Sequence, residues 1–255
     1  MERFVLLTTQ RSGSSWVIDT LNSHPAVVAY SELFLRTNKE SPTWAGDTQV
    51  LLFQAFLKRK KQKGFRLPIS SKARICLKYL ESIHPSNDQT EVESVGFKLM
   101  YNQMIQNAVC LLFYILTKKP IILHLIRRNY LDVILSEETA QARRMSHARH
   151  PVEQVKINLD TRCLVARLKR KERKIKLAHH IFSMLGQHYQ RVYYEDLVSG
   201  KTSFRDVLSY IGITMDDKLS SNLQKLNQGT HRDLIQNYDE VKETLEETRF
   251  THLLQ

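Results

Sequence analysis

Residues 5–16, Val-Leu-Leu-Thr-Thr-Gln-Arg-Ser-Gly-Ser-Ser-Trp, constrain the fold more than any other stretch of the chain. An apolar, β-rich run feeds a turn holding one glycine and three serines, and a helix follows at once with Val17, Ile18 and Leu21 on its apolar side. A strand-to-helix turn of this kind aims successive backbone N–H groups, and the positive end of the helix dipole, at one spot. With the Arg11 guanidinium and the hydroxyls of Ser12, Ser14 and Ser15 beside Gly13, the spot suits a phosphate or a sulfate. The bland alternative is a small-residue turn that binds nothing.

The ATP-binding loop G-x-x-x-x-G-K-[ST] needs a lysine followed by a magnesium-binding hydroxyl. Here the loop is shorter, carries one glycine and places an arginine before the serines. A second phrase follows the six-residue apolar run 121–126, long enough for one buried parallel strand. Arg127-Arg128-Asn129 ends it, and Asp132, Val133 and Ser136 come after. Arg128 would leave the C-terminal end of a strand, where open α/β sheets bind ligands, and offers a forked, permanently charged donor. Ser136 stands eight residues later, roughly 12 Å along a helix axis. A third phrase, Tyr193-Tyr194-Glu195-Asp196-Leu197, ends another short β-type run.

Taken in order, T-T-x-R-S-G-S-S-W, R-N-x-x-D-V-x-x-S and Y-E-D-L resemble the nucleotide-binding phrases of sulfotransferases that use 3′-phosphoadenosine 5′-phosphosulfate (PAPS). The resemblance implies a three-layer α/β fold of P-loop NTPase type, with a central, mostly parallel sheet flanked by helices, and one sulfotransferase domain over 1–255. It implies that Arg11, Ser12, Gly13, Ser14 and Ser15 hold the 5′ end of the nucleotide, while Arg128 and Ser136 hold the 3′-phosphate. Trp16 and Tyr194 would lie against the adenine, and Tyr193 would belong to the core. That reading requires the Arg11 turn and Arg128 to face one cleft.

The resemblance also assigns chemistry. Arg11 and Lys98, the latter in Gly96-Phe97-Lys98-Leu99, would neutralise charge on the departing phosphate. Cytosolic members carry a histidine after the lysine of that strand; this chain has Lys98-Leu99-Met100. Glu32, seven residues after Pro25 in an S-H-P…E-L-F pattern, is the expected base, since a carboxylate serves when burial brings its pKa toward neutral. Two histidines compete: His124, read as a satisfied core residue, and His231, in a polar loop near the end. Lys225 and Arg232 in that region would touch a phosphate. His24 beside Pro25 closes the first helix. The family requires no metal.

Size and composition agree with one soluble α/β unit: 255 residues, 42% hydrophobic, 25% charged. Strands are expected at 4–9, 27–30, 95–99, 121–126 and 192–194. A strand begins near the start, so no cleavable signal is expected, and the apolar region 110–126 is interrupted by Thr117-Lys118-Lys119-Pro120, so no membrane span is expected. Cys76, Cys110 and Cys163 lack metal-type spacing and fit a reducing cytoplasm. Of the net charge of +12, residues 143–176 carry +9, from twelve Lys/Arg against three acids, on a helical pattern. This face is either solvated, or steers a polyanionic donor, or docks an acidic partner; nucleic acid is not expected, because no aromatics are interleaved. The acceptor, a hydroxyl or amine of a small metabolite, glycolipid or saccharide, would meet segments 36–84 and 143–162. The rival readings are a small-molecule kinase and a non-catalytic module that binds an acidic partner.

Overall fold

The computed structural model describes residues 1–36, 43–45, 48–61, 69–84, 91–143, 154–185, 188–214, 218–223 and 229–254. The chain runs β1 (Glu2–Thr8), α1 (Ser14–Asn22), β2 (Val27–Glu32), β3 (Thr43–Ala45), β4 (Thr48–Val50), α2 (Phe53–Lys61), α3 (Ile69–Ser82) and β5 (Ser94–Met100). It continues through α4 (Tyr101–Gln106), α5 (Ala108–Lys118), β6 (Ile121–Ile126), α6 (Tyr130–Ala142), α7 (Thr161–Met184) and β7 (Tyr189–Tyr193). The last elements are α8 (Tyr194–Val198), α9 (Phe204–Tyr210), α10 (His231–Leu234), α11 (Tyr238–Glu246) and a 3₁₀ turn (Thr251–Leu254).

Five strands form one sheet in the order β2-β5-β1-β6-β7, all parallel. Each of the five strands expected from the sequence is present. The short antiparallel hairpin of β3 and β4 was not anticipated. β1 lies at the centre, and its residues are among the most buried in the chain: Phe4, Val5 and Leu7 are fully inaccessible. Alternation along the strands divides the core into two layers. Val5, Leu7, Phe97, Leu99 and Ile122 face α2, α3, α5 and the end of α7; Phe4, Leu6, Leu123 and Leu125 face α1, α8 and α9. Helices therefore cover both faces, as a parallel sheet requires. A third cluster joins α6, the first half of α7, α10 and α11 beside the sheet.

Several local expectations hold. His124 is fully buried within β6, with Tyr101 Oη on Nε2 and Tyr189 Oη on Nδ1 at 2.5 Å. Burial, then the neighbouring His179 and Arg191, pull its pKa down to about 3, so it is a neutral core residue. His24 is buried just after α1, where its Nδ1 accepts the Ala26 N–H at 3.1 Å. The basic segment is helical from Thr161, with Leu164, Leu168, Ala178 and Phe182 inward. Tyr193, by contrast, is not in the core: its half-buried ring lies under the Arg128 guanidinium, 4.6 Å from the centroid, with Arg191 at 6.0 Å.

No helix among the described residues is long and apolar enough to cross a membrane. Cys76 and Cys110 are buried and Cys163 is partly exposed. Among the described residues no group of three His, Cys, Asp or Glu side chains could hold a metal ion.

Candidate functional site

The C-terminal ends of β2, β5, β1, β6 and β7 open into a cleft of about 1250 Å³. That exceeds the ~300–1,000 Å³ that one drug-sized ligand commonly occupies, which leaves room for two substrates. Its floor is the turn after β1. Arg11 has φ 60 and Gly13 φ 85, so two left-handed residues fold the backbone into a concave turn of the kind that gathers N–H groups around an anion. A left-handed non-glycine residue costs roughly 1–3 kcal/mol and persists only where its surroundings impose it. Gly13 has a second constraint: a Cβ there would lie 2.3 Å from Cδ2 of Tyr194. Gly13 is also the N-cap of α1 and offers no side chain to the first-turn N–H groups, leaving that end of the helix open to a ligand.

The serines divide their tasks. Ser12 is fully buried, its hydroxyl within 2.5 Å of Thr8 Oγ1 and donating to the Thr9 carbonyl at 2.9 Å. It holds the turn together and does not line the cleft. Ser14 and Ser15 do line it, with Gln10, Arg11, Gly13 and Trp16. Trp16 packs edge-on against Tyr194 and Phe204, with centroids 6.0 and 5.1 Å away, so Trp16 and Tyr194 form an aromatic wall beside the turn.

Opposite this wall, Glu32, Lys98 and Ser15 form a polar cluster. A register shift at the end of β2 brings Glu32 level with Lys98 on the neighbouring strand β5. Lys98, only 3% exposed, contacts Glu32 Oε1 at 3.1 Å and donates to Ser15 Oγ at 3.3 Å. Gln103 donates to Glu32 Oε2 at 2.6 Å. Each Glu32 oxygen therefore has a donor, and the carboxylate is fixed at the cleft edge beside the only lysine on the cleft wall among the described residues.

The two halves of the predicted anion site meet directly: Arg11 Nε donates to Ser136 Oγ at 3.0 Å. Burial lowers the Arg11 pKa, and the like charge of Arg127 lowers it further, while Glu137 opposes them. Two guanidinium groups drawn into one cleft favour a bound anion.

Arg128 is not part of this arrangement: it shares no cleft with the Arg11 turn, so the expectation that the two would face each other fails at Arg128, and a nucleotide reading has to rest on Arg127 and Ser136 instead. Its guanidinium pairs with Asp196, reaches Glu195 Oε2 at 3.6 Å and lies on Tyr193 outside the cleft. Glu195 also accepts the Asn129 N–H at 3.0 Å, so the acidic pair ties the end of β7 to that of β6, and Arg128 follows it. The arginine on the cleft is Arg127, 9% exposed, with its guanidinium 4.8 Å from the Tyr194 ring centroid. Strand alternation was the available signal: Leu123 and Leu125 face the α1 side, and Arg127 is the next residue of that parity.

Arg127 donates to Asp132 Oδ2 at 2.6 Å, and His231 Nε2 lies 2.7 Å from Asp132 Oδ1. Burial would raise the Asp132 pKa, but the His231 hydrogen bond and the Arg127 charge outweigh it and hold the carboxyl at about 2. An ionised carboxylate only accepts, so His231 Nε2 carries the proton. Arg232 lines the cleft at its outer edge, exposed, with Asp239 at 3.5 Å and the Tyr238 ring at 5.1 Å. Lys225 lies outside the described residues. On the remaining wall, Arg167 pairs with Glu138 at 2.6 Å, and outside the cleft Lys171 pairs with Glu137 at 2.7 Å, so part of the basic helix α7 is neutralised by α6. Tyr30 and Phe34, near the end of β2, are buried in the core.

No family model matches the sequence, and no curated protein matches it. Among solved structures, a sulfotransferase from Alicyclobacillus acidocaldarius aligns over 100% of this chain and 99% of its own, with a TM-score of 0.47 and 11% sequence identity.

Proposed function

We propose that residues 1–255 act as one PAPS-dependent sulfotransferase unit, transferring a sulfuryl group to a hydroxyl or amine of a small metabolite, glycolipid or saccharide, in the cytoplasm. The observation that carries the reading is the Arg11–Ser136 hydrogen bond, because it joins two separately recognised anion-binding phrases in one cleft. The aromatic wall of Trp16 and Tyr194 supports it, because both rings line the cleft next to that anion site and an adenine packs favourably on aromatic side chains.

In this reading the turn from Arg11 to Ser15 receives the 5′-phosphosulfate. The acceptor oxygen or nitrogen attacks sulfur, the bond from sulfur to the bridging phosphate oxygen breaks, and 3′-phosphoadenosine 5′-phosphate (PAP) leaves. Such in-line transfer relies chiefly on positioning and electrostatics. Arg11 and Lys98 supply positive charge where the departing oxygen gains negative charge. Glu32, held between Lys98 and Gln103, takes the acceptor's proton. Arg232 adds charge at the rim.

The test is thermal stabilisation by PAP compared with ATP plus magnesium, followed by transfer assays with radiolabelled PAPS and a metabolite extract. PAP should stabilise the protein; stabilisation by ATP alone would assign a kinase, and no response to either would leave an interaction module. Glu32→Gln should bind PAP as the unaltered chain does and lose transfer, by ~10²-fold or more for a general base. An active Glu32→Gln protein removes Glu32 from that role.

A further inference from the structure

We propose that His231 is a positioning residue of the nucleotide cleft, acting through Asp132 to hold the Arg127 guanidinium against the turn after β1. The inference rests on the nucleotide-binding reading above and adds a residue whose part in it no sequence phrase assigns.

Four groups form a continuous chain. Arg127 donates from Nη1 to the Arg11 carbonyl at 3.3 Å and from Nη2 to Asp132 Oδ2 at 2.6 Å; His231 donates from Nε2 to Asp132 Oδ1 at 2.7 Å. Each oxygen of Asp132 is thus engaged from a different part of the fold, by the residue that follows β6 on one side and by α10 on the other. Arg127 and His231 are both 9% exposed, whereas Thr230 and Arg232 on either side of His231 are exposed. His231 is therefore turned inward from an otherwise solvated segment. The backbone next to it is pinned separately: Ile157 N–H donates to the Leu234 carbonyl and Gln236 N–H to the Ile157 carbonyl, each at 2.9 Å. His231 is not needed to keep α10 in place, which leaves its contact with Asp132 as the distinctive function of the side chain.

Arg127 needs that support. It lies close enough to Arg11 for the like charges to oppose each other, and its buried Nε has no hydrogen-bond partner among the described residues. Asp132 is its ion-pair partner, and the adjacent Arg128, paired instead with Asp196, stands outside the cleft. A carboxylate with one donor is freer to rotate than one held at both oxygens, so loss of His231 loosens Arg127 and weakens the anion site. His231 acts through Asp132 and takes no proton from the acceptor.

PAP affinity by isothermal titration calorimetry, with folding checked by circular dichroism, tests this directly. His231→Ala should lower affinity on the order of tenfold, as befits a hydrogen bond to a charged group. His231→Gln, whose amide can still donate to Asp132, should stay within about threefold of the unaltered chain and keep its transfer activity. Arg127→Met should cost affinity in the unaltered background and little more in His231→Ala, because coupled residues are not additive. Unchanged affinity in His231→Ala, or fully multiplicative losses in the double variant, overturns the proposal. So does a His231→Gln protein that binds PAP normally yet transfers nothing, since that outcome makes His231 the base. If His231→Ala fails to fold, His231→Leu, which fills the space without a donor, replaces it in the same cycle with Arg127→Met, with the same additive outcome counting against the proposal. An unaltered chain that does not bind PAP refutes the nucleotide reading and this inference with it; normal binding that ignores His231 refutes the inference alone.

Discussion

The turns after β1 and after β6 lie side by side and converge on one cleft, yet they are built on different principles. The first is fixed by its backbone. Two left-handed residues, a glycine pressed on the Tyr194 ring and a buried serine bonded inside the turn leave it one shape. The second is fixed by its side chains. Arg127 and Arg128 are chemically identical neighbours, and the position of the nearest carboxylate, Asp132 for one and Asp196 for the other, decides which faces the cleft. A backbone device tolerates almost no substitution, whereas an ion-pair device can be re-aimed by one carboxylate.

That contrast sets the order of expected effects. The largest belongs to Gly13→Ala. A left-handed alanine costs roughly 1–2 kcal/mol, and its Cβ, 2.3 Å from Tyr194, adds ~1–3 kcal/mol of overpacking. Chemical denaturation should show a loss of several kcal/mol, with PAP binding abolished at temperatures where the chain remains folded. A mild effect would mean the turn is as adaptable as its neighbour. Arg11→Ala comes next: alanine keeps the Cβ, and so the same left-handed strain as arginine at φ 60, but removes the donor to Ser136, so stability should change little. Turnover should fall by ~10²–10³, as for loss of one well-aimed transition-state donor.

The first turn was legible because backbone conformation leaves marks in residue type. Glycine at position 13, small serines, and the switch from a β-rich run to an amphipathic helix could be read in order. The five strands were legible for a similar reason, since apolar runs such as Ile121–Ile126 have few other uses in a chain of this length. The ion pairs were not. Strand parity puts Arg127 on the α1 side, but nothing near Arg128 names Asp196, 68 positions away, as its partner. Nor does His231 announce Asp132, 99 positions away. Tyr193 was misplaced on the same account: its ring lies under the Arg128 guanidinium, a side-chain pairing that no residue type announces.

An intermediate effect is expected from acid. Asp132 has its pKa lowered from 3.8 to about 2 in the folded protein. A depressed carboxylate contributes stability that is fully present above the unfolded value and is lost as pH falls through the folded one. Asp132→Asn should therefore lower stability by ~1–2 kcal/mol at neutral pH. It should also flatten the decline between about pH 4 and pH 2. Denaturation midpoints across that window check this, and parallel curves for both proteins would show that Asp132 is not what ties Arg127 down.

The smallest effect is expected from Arg128→Ala, and it is the sharpest test of the contrast. Its partners are partly exposed, and its own side chain is 47% exposed. Pairs of this kind typically contribute ~0–1 kcal/mol, so the melting curve should barely move. Because the guanidinium stands outside the cleft, PAP affinity should change by no more than about threefold. The family phrase assigns this arginine to the 3′-phosphate, and a tenfold loss of PAP affinity with 5′-AMP binding unchanged would vindicate the phrase. Arg128 would then have to leave Asp196 when nucleotide binds, and the ion pair after β6 would be a resting place for the side chain. Equal binding of both nucleotides by Arg128→Ala and the unaltered chain would instead leave the 3′-phosphate to Arg127 and Ser136, the pair that lines the cleft.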